Sequence, residues 1–422
     1  MTAGPLRIGM VGTGFIADFH RQAMEWVRGA TVAAAWSPDP DHRRAFAARV
    51  DASGLGPCRA VGSLEEMVGG DLVDAVWILG PNDARLHHMR AVHHAALGGR
   101  SSVRAVACEK PLGRTVGEAR QMLELARSAG LSHAYLENQV FAPAVRRGRE
   151  VVWCRAVPST GRPYLARASE EHAGPHRPWF WQARRQGGGV LLDMMCHSVE
   201  VGRYLLTQPG APRESLRPVA ATGTTATLKW SRPAYADQLA RAMGPEVDYR
   251  RHPAEDVAHG QVTFEDGQGN PVVVEASTSW AYVGPGLRIA VEVLGPEYAM
   301  AIDTLATGLR VFLSRAVTGG AGEDLVEKHN ADQGLMPVLE DEAATYGYVA
   351  EDRHVVEAFS AGRAPDETFE DGVAVLELLM ALYRSAELGR TVVPGEEDLG
   401  AYVPPVARGE APGGGGTLPR KP

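Results

Sequence analysis

The chain has 422 residues, enough for two or three domains with substantial cores. Hydrophobic residues make up 45% and charged residues 22%, the balance of an ordinary globular protein, and a net charge of −8 without a basic run excludes a dedicated nucleic-acid binder. No apolar stretch of about 18 residues is available to span a membrane, and residues 1–7 are too short to be a secretory leader.

Residues 6–11 read as a short buried strand. Gly12-Thr-Gly-Phe-Ile-Ala17 follows at once, and a helical pattern continues to about Arg28. This is the glycine-rich dinucleotide fingerprint in the context it requires, with a strand before it and a helix after it. Gly12 permits the tight turn, Gly14 lets the backbone approach a pyrophosphate held at the helix N-terminus, and Ala17 is small enough for close helix–strand packing. The second strand is expected over 31–36. Folds of this kind often place an acid at its end to bind the ribose 2′-hydroxyl. Here the end reads Trp36-Ser37-Pro38-Asp39, with Arg43 and Arg44 on the next helix. Ser37 stands in the acid's place, so both NAD and NADP remain open.

Strand and helix signals keep alternating. Strands are expected over 73–79, 103–108 and 132–137, and helices over 85–97 and 115–129. The pattern implies right-handed βαβ units around a parallel sheet, an α/β fold. Ligands of such sheets bind at the carboxyl ends of strands. Gly80-Pro-Asn82 and Glu109-Lys-Pro111 fall there.

From about residue 141 the character changes, and glycine, proline and aromatic residues gather over 172–181. Residues 187–198, Gly-Gly-Gly-Val-Leu-Leu-Asp-Met-Met-Cys-His-Ser, follow. The glycines free the backbone for close approach to a ligand. The apolar run starts a helix that should be buried, with Asp193 and His197 one turn apart on one face. A buried carboxylate and imidazole must be paired or put to use. Strand-like runs then dominate, over 221–230, 257–264, 271–280, 287–294 and, more weakly, 310–313. Gly267 and Gly269 mark a hairpin turn. These runs imply a mostly antiparallel sheet in a separate α+β domain. Helices return over 347–361 and 372–388. The expected domains are 1–140 and 141–405, and 406–422 is too poor in apolar residues to fold.

His87, His88, His93 and His94 wind around one helix with no cysteine or carboxylate set beside them, so no metal site is expected. Cys58, Cys108, Cys154 and Cys196 form no Cys-x-x-Cys pair and read as reduced thiols of a cytoplasmic protein. Cys196 and His197 are adjacent on a helix and point in different directions, which argues against a nucleophile pair.

In this order and spacing the motifs resemble the Gfo/Idh/MocA oxidoreductases, which include inositol, glucose and other sugar dehydrogenases. The resemblance covers about residues 6–395. It is carried by Gly12-x-Gly14-x-x-Ala17, by Pro81-Asn82 with His87, by Glu109-Lys110-Pro111 and by Gly187-Gly-Gly189 with Asp193-x-x-x-His197. Ser279-Trp280, Asp352-Arg-His354 and Tyr383-Arg-Ser-Ala386 are similar too. The resemblance implies an N-terminal Rossmann domain that binds NAD or NADP, a C-terminal domain with a large open sheet, and a homo-oligomer. Its catalytic residues carry over to Lys110, Asp193 and His197. Its cofactor contacts fall on Gly12, Gly14, Phe15, Ile16, Ser37, Pro81, Asn82, His87, Glu109, Lys110 and Asn138.

Oxidising a secondary alcohol sends a hydride to the nicotinamide and a proton to a base. Histidine, with an ordinary pKa of about 6.5, suits that role at His197. Asp193 can orient the imidazole, and Lys110 can stabilise negative charge on the reacting oxygen. His176, Trp179 and Trp181 are candidates to line a sugar pocket, or else a packed aromatic corner. The expected reaction is hydride exchange between NAD(P) and a secondary hydroxyl or ketone of a sugar, glycoside or polyol. Two other readings stay open: a redox-neutral glycoside-cleaving enzyme that oxidises its sugar transiently, and a non-catalytic dinucleotide-sensing regulator.

Overall fold

The computed structural model describes residues 4–306, 309–313, 334–339 and 341–410. The chain divides into two compact units, Met1–Pro143 with Ala343–Leu376, and Ala144–Glu342 with Glu377–Pro422.

In the first unit, β1 (Leu6–Val11), β2 (Ala30–Trp36), β3 (Arg59–Ala60), β4 (Ala75–Ile78), β5 (Ala105–Glu109) and β6 (Ser132–Leu136) form one sheet in the order β3-β2-β1-β4-β5-β6. Every neighbouring pair is parallel, the doubly wound arrangement that binds dinucleotides. β4 and β5 are buried along their whole length, as strands covered on both faces must be, and so they read as unbroken apolar runs. The connecting helices start on side-chain caps. Asp39 Oδ1 accepts the N–H groups of Asp41 at 2.8 Å and His42 at 3.1 Å to open the helix Pro40–Ala52. Thr115 accepts from Glu118 at 3.1 Å to open Val116–Ser128.

Residues 343–376 join this unit, although the sequence alone placed everything beyond 141 in the second domain. The reason is packing. The helix Tyr348–Ser360 buries Val355, Val356 and Phe359 in the same core as Trp77, with the Phe359 and Trp77 rings edge-on at 5.9 Å.

In the second unit, β7 (Leu165–Glu171), β8 (Arg217–Ala226), β9 (Val257–Glu265), β10 (Pro271–Ser279), β11 (Arg288–Gly295) and β12 (Tyr298–Asp303) form a sheet in the order β12-β11-β7-β10-β9-β8. All its pairs are antiparallel except β7 with β10. β10 and β11 alternate strictly between buried and partly exposed positions, so one face is covered and the other open. The helix Val190–Leu206 is buried at every position and packs on β7 and β10. Leu309–Leu313 pairs antiparallel with Gly334–Val338.

Several sequence expectations shift here. The strand expected over 221–230 lies at Arg217–Ala226. It ends early because the Asp256 carboxylate gathers the N–H groups of Leu228, Lys229 and Trp230 at 2.7–2.9 Å and turns the chain. β7, β12 and the helix Pro233–Met243 were not expected. Pro405–Arg408 is a helical turn with Val406 and Ala407 buried, so the start of the expected tail is folded. Residues 411–422 lie outside the described residues. All four cysteines are free thiols, with Cys154 exposed and the others buried.

Candidate functional site

The expected site residues fall into two groups, one in each unit, and each group is organised by buried charges.

Gly12, at φ +103°, turns the chain after β1, and a Cβ there would lie 2.9 Å from the backbone at Leu79 and Gly80. Only glycine meets both conditions. Gly14 caps the helix Phe15–Met24 without a side-chain hydrogen bond, and nothing lies within 4 Å of where its Cβ would be. An open, uncapped helix N-terminus after a glycine turn fits a pyrophosphate. Phe15 and Ile16 are partly buried, and Phe15 packs on the Phe19 ring at 5.0 Å. At the end of β2, the Ser37 hydroxyl meets Thr13 Oγ1 at 3.0 Å and donates to the Asp39 carbonyl at 3.1 Å. Arg43 donates to the Ser37 carbonyl at 3.0 Å. Asp39 is engaged as a helix cap, which explains why the acid comes late.

Pro81 precedes the helix Asn82–Leu97, in which Asn82 is buried and His87 exposed. The buried histidine is the next one, His88, edge-on to Trp36 at 5.5 Å. Burial, with His87 and Arg85 nearby, lowers it to about 4.

Half-buried Lys110 leaves the end of β5 in a loop held from two sides. Buried Arg85 donates to the carbonyls of Gly80 at 3.0 Å, Glu109 at 2.7 Å and Pro111, tying two strand ends together. The Glu109 carboxylate accepts the Lys110 N–H at 2.9 Å and meets His20 Nε2 at 3.2 Å. Fully buried His20 also meets Asp352 through Nδ1 at 2.9 Å. Burial opposes charge on this imidazole, but Asp352 and Glu109 outweigh it and hold His20 well above its ordinary range. Burial likewise opposes the Glu109 anion, but His20, with Lys110 and Arg85, keeps it below the usual carboxylate value. Asn138 is buried, and its amide donates to the Tyr346 carbonyl at 2.7 Å, anchoring the returning segment.

In the second unit, Asp193 and His197 lie one turn apart and are both buried. Trp280 donates its indole N–H to Asp193 Oδ2 at 3.2 Å. Glu170, buried on β7, places Oε2 3.9 Å from His197 Nε2. Cys196 turns its thiol to the Asp193 carbonyl at 3.3 Å. The glycines before the helix make room for protein rather than for a ligand. A Cβ on Gly189 would lie 2.6 Å from Glu255 Cδ, and one on Gly188 would strike the Tyr383 hydroxyl.

Of the aromatic candidates, Trp181 is buried among Trp230, Tyr249 and Trp280 at ring distances of 5.1–5.3 Å. It is therefore a packed corner that supports Trp280. Trp179 is half-buried and stacked on Phe180, and His176 is exposed. Sequence reasoning did not find His20, Arg85, Glu170 or Glu255 as site residues. His20 and Asp352 are 332 residues apart, a separation that no local spacing reveals.

Residues 6–135 match the oxidoreductase family with an NAD-binding Rossmann fold, and residues 159–298 match the GFO/IDH/MocA C-terminal domain. The chain is 31% identical to 1,5-anhydro-D-fructose reductase of Ensifer adhaerens over 51% of its own length and 61% of that protein's, less than two thirds of it. It is 25% identical to D-glucoside 3-dehydrogenase of Escherichia coli strain K12 over 93% of this chain and 98% of the relative. The crystal structure of GenD2 from gentamicin A biosynthesis, in complex with NAD, resembles it with a TM-score of 0.73 at 27% identity, over 93% of this chain and 97% of that one. Among the described residues no helix is long and apolar enough to cross a membrane. With its parallel NAD(P)-binding Rossmann sheet and mostly antiparallel second sheet, the chain belongs to the Gfo/Idh/MocA oxidoreductase family.

Proposed function

We propose that this protein is an NAD(P)-dependent dehydrogenase acting on a secondary hydroxyl or ketone of a sugar, glycoside or polyol. The observation that carries this reading is the buried His197, with Asp193 one turn before it and Glu170 3.9 Å from its Nε2. An imidazole supported by two desolvated acids is suited to accept a proton and to be stabilised as its cation. The match to D-glucoside 3-dehydrogenase along 98% of that relative supports a glycoside or polyol class.

A nicotinamide dinucleotide, when bound, supplies the hydride exchange. Gly12, Gly14, Phe15, Ile16 and Ser37 would hold its adenosine and pyrophosphate end. Pro81, Asn82, His87, Glu109, Lys110 and Asn138 would hold the remainder. In this reading His197 takes the proton of the substrate hydroxyl. Asp193, fixed by Trp280, and Glu170 stabilise the imidazolium. The Lys110 ammonium donates to the same oxygen as negative charge develops on it.

A panel of glycosides and polyols, followed by nicotinamide absorbance and product analysis, tests the proposal. Net formation of reduced nicotinamide with at least one of them is the expected result. Cleavage of a glycoside without net reduction would assign the redox-neutral reaction instead. Tight dinucleotide binding with no turnover of any compound would assign a regulator.

A further inference from the structure

The helix that carries Asp193 and His197 begins at a glycine, Gly189, which offers no side chain to its own first turn. Its N–H groups need acceptors all the same. Glu255 Oε1 accepts from Gly189 at 2.8 Å and from Leu191 at 3.3 Å. The Glu255 carbonyl accepts from Val190 at 3.1 Å. The Tyr383 hydroxyl accepts from Gly189 at 3.1 Å and Leu192 at 3.2 Å, and donates in turn to Glu255 Oε1. Every backbone N–H from 189 to 192 therefore ends on Glu255 or Tyr383, and the first bond within the helix is that of Asp193 to the Gly189 carbonyl. Gly188 and Gly189 lack a Cβ where these two side chains enter.

Glu255 is fully buried, and its second oxygen, Oε2, has no hydrogen-bond partner among the described residues. Three donors on Oε1 favour the anion, while burial and the bare Oε2 oppose it. A helix cap does not need a carboxylate balanced in this way, since a serine or threonine hydroxyl would serve.

We propose that Glu255 is a positioning residue for Asp193 and His197: together with Tyr383 it holds the first turn of their helix, and the firmness of that hold, and with it turnover, follows the ionisation of its carboxyl. The proposal rests on the reading of Asp193 and His197 as the acid–base pair. Burial pushes the Glu255 carboxyl up to about 7, against the hydrogen bonds from Tyr383, Gly189 and Leu191. The titratable groups beside it are Tyr383 on the helix Phe369–Leu388, Tyr249, and Asp256 next in the chain. Burial, then the Glu255 charge, holds both phenols well above their ordinary range, so they stay neutral while Glu255 titrates.

The experiment follows the amide resonances of Gly189 and Leu191 in the deuterated free protein across neutral pH, beside the pH profile of kcat. In the wild type both amides are expected to shift with one ionisation near 7, and kcat to fall on its acid side. Glu255→Gln keeps an acceptor oxygen and should fold. It should abolish the amide shift and remove the limb of the kcat profile that matches it, with kcat about tenfold below wild type on the alkaline side, the size of one charge-assisted hydrogen bond, and KM little changed. Tyr383→Phe removes a donor to the anion and should move the ionisation upward. Amides that do not titrate, that titrate alike in Glu255→Gln, or that titrate with no matching limb in kcat would overturn the proposal. The resonance measurement needs neither substrate nor dinucleotide. Its failure is therefore distinct from failure of the dehydrogenase reading, which would appear as normal turnover in His197→Ala.

Discussion

The indole N–H of Trp280 points at Oδ2 of Asp193, 3.2 Å away, with both side chains buried. Trp280 is itself fixed. Its carbonyl accepts the Trp230 indole N–H at 2.8 Å, and the Trp181 ring packs on it at 5.1 Å. The end of β10 thereby sets the orientation of an acid carried on a separate helix.

Trp280→Phe keeps an aromatic ring in the cluster but removes the donor. A hydrogen bond to a charged group contributes about 1.5–3 kcal/mol. If Asp193 stabilises the His197 cation, kcat should fall about 10–100-fold with KM little changed. Steady-state kinetics on a variant with wild-type circular dichroism checks this, and an unchanged kcat would remove Trp280 from the site.

The acid–base assignment has its own series. His197→Ala should lower turnover roughly 10²–10⁴-fold, the range for a positioned proton acceptor. Lys110→Ala should cost a similar factor by removing a charged donor from the reacting oxygen. Asp193→Asn should be milder and should change the pH–rate profile, because the imidazolium loses an anionic partner. Dinucleotide affinity, measured by fluorescence titration, should survive His197→Ala and Asp193→Asn, since neither residue is among those proposed to hold the dinucleotide. Near-normal turnover in folded His197→Ala would rule out the mechanism.

Which of these features the sequence displays follows from how each is built. β1, β4 and β5 are buried on both faces and announce themselves as apolar runs. β7 reads Leu-Ala-Arg-Ala-Ser-Glu-Glu. Its inward positions are two alanines and Glu170, so its alternation carries almost no hydrophobic signal, and the carboxylate that makes it important also hides it. Asp193 and His197 share one helix turn, which makes them visible as a pair. Their supports, Trp280, Glu170, Glu255 and Tyr383, come from other elements and meet only in the fold. The triple glycine was legible as a close approach but not as an approach to Glu255 and Tyr383.

The end of β2 makes the choice of cofactor testable. Asp39 is committed to capping a helix, and the position usual for a ribose-binding acid is Ser37, with Arg43 on its carbonyl. Without a carboxylate there, a 2′-phosphate meets no repulsion. Affinities for NAD and NADP should therefore lie within about tenfold of each other, less than 1.4 kcal/mol apart. Ser37→Asp should weaken NADP selectively. Fluorescence titration of both dinucleotides decides this, and a large native preference for NAD would contradict it.

His20 gives a prediction about pH and stability. The imidazole lies between Asp352 and Glu109, and its pKa is held well above the ordinary value by these carboxylates against the effect of burial. The folded chain therefore binds this proton more tightly than the unfolded chain. Its contribution to stability is complete below about pH 6.5, the ordinary histidine value, and is lost as pH rises through the raised folded value. His20→Gln removes the cation and leaves two acids buried, which should cost about 3–5 kcal/mol where wild-type His20 is charged. Thermal melts of both proteins over a pH series should show the largest gap on the acid side of neutrality and a shrinking gap toward alkaline pH. A gap that grows with pH would mean that His20 is neutral in the fold. Glu109 would then keep only Lys110 and Arg85 as cationic neighbours.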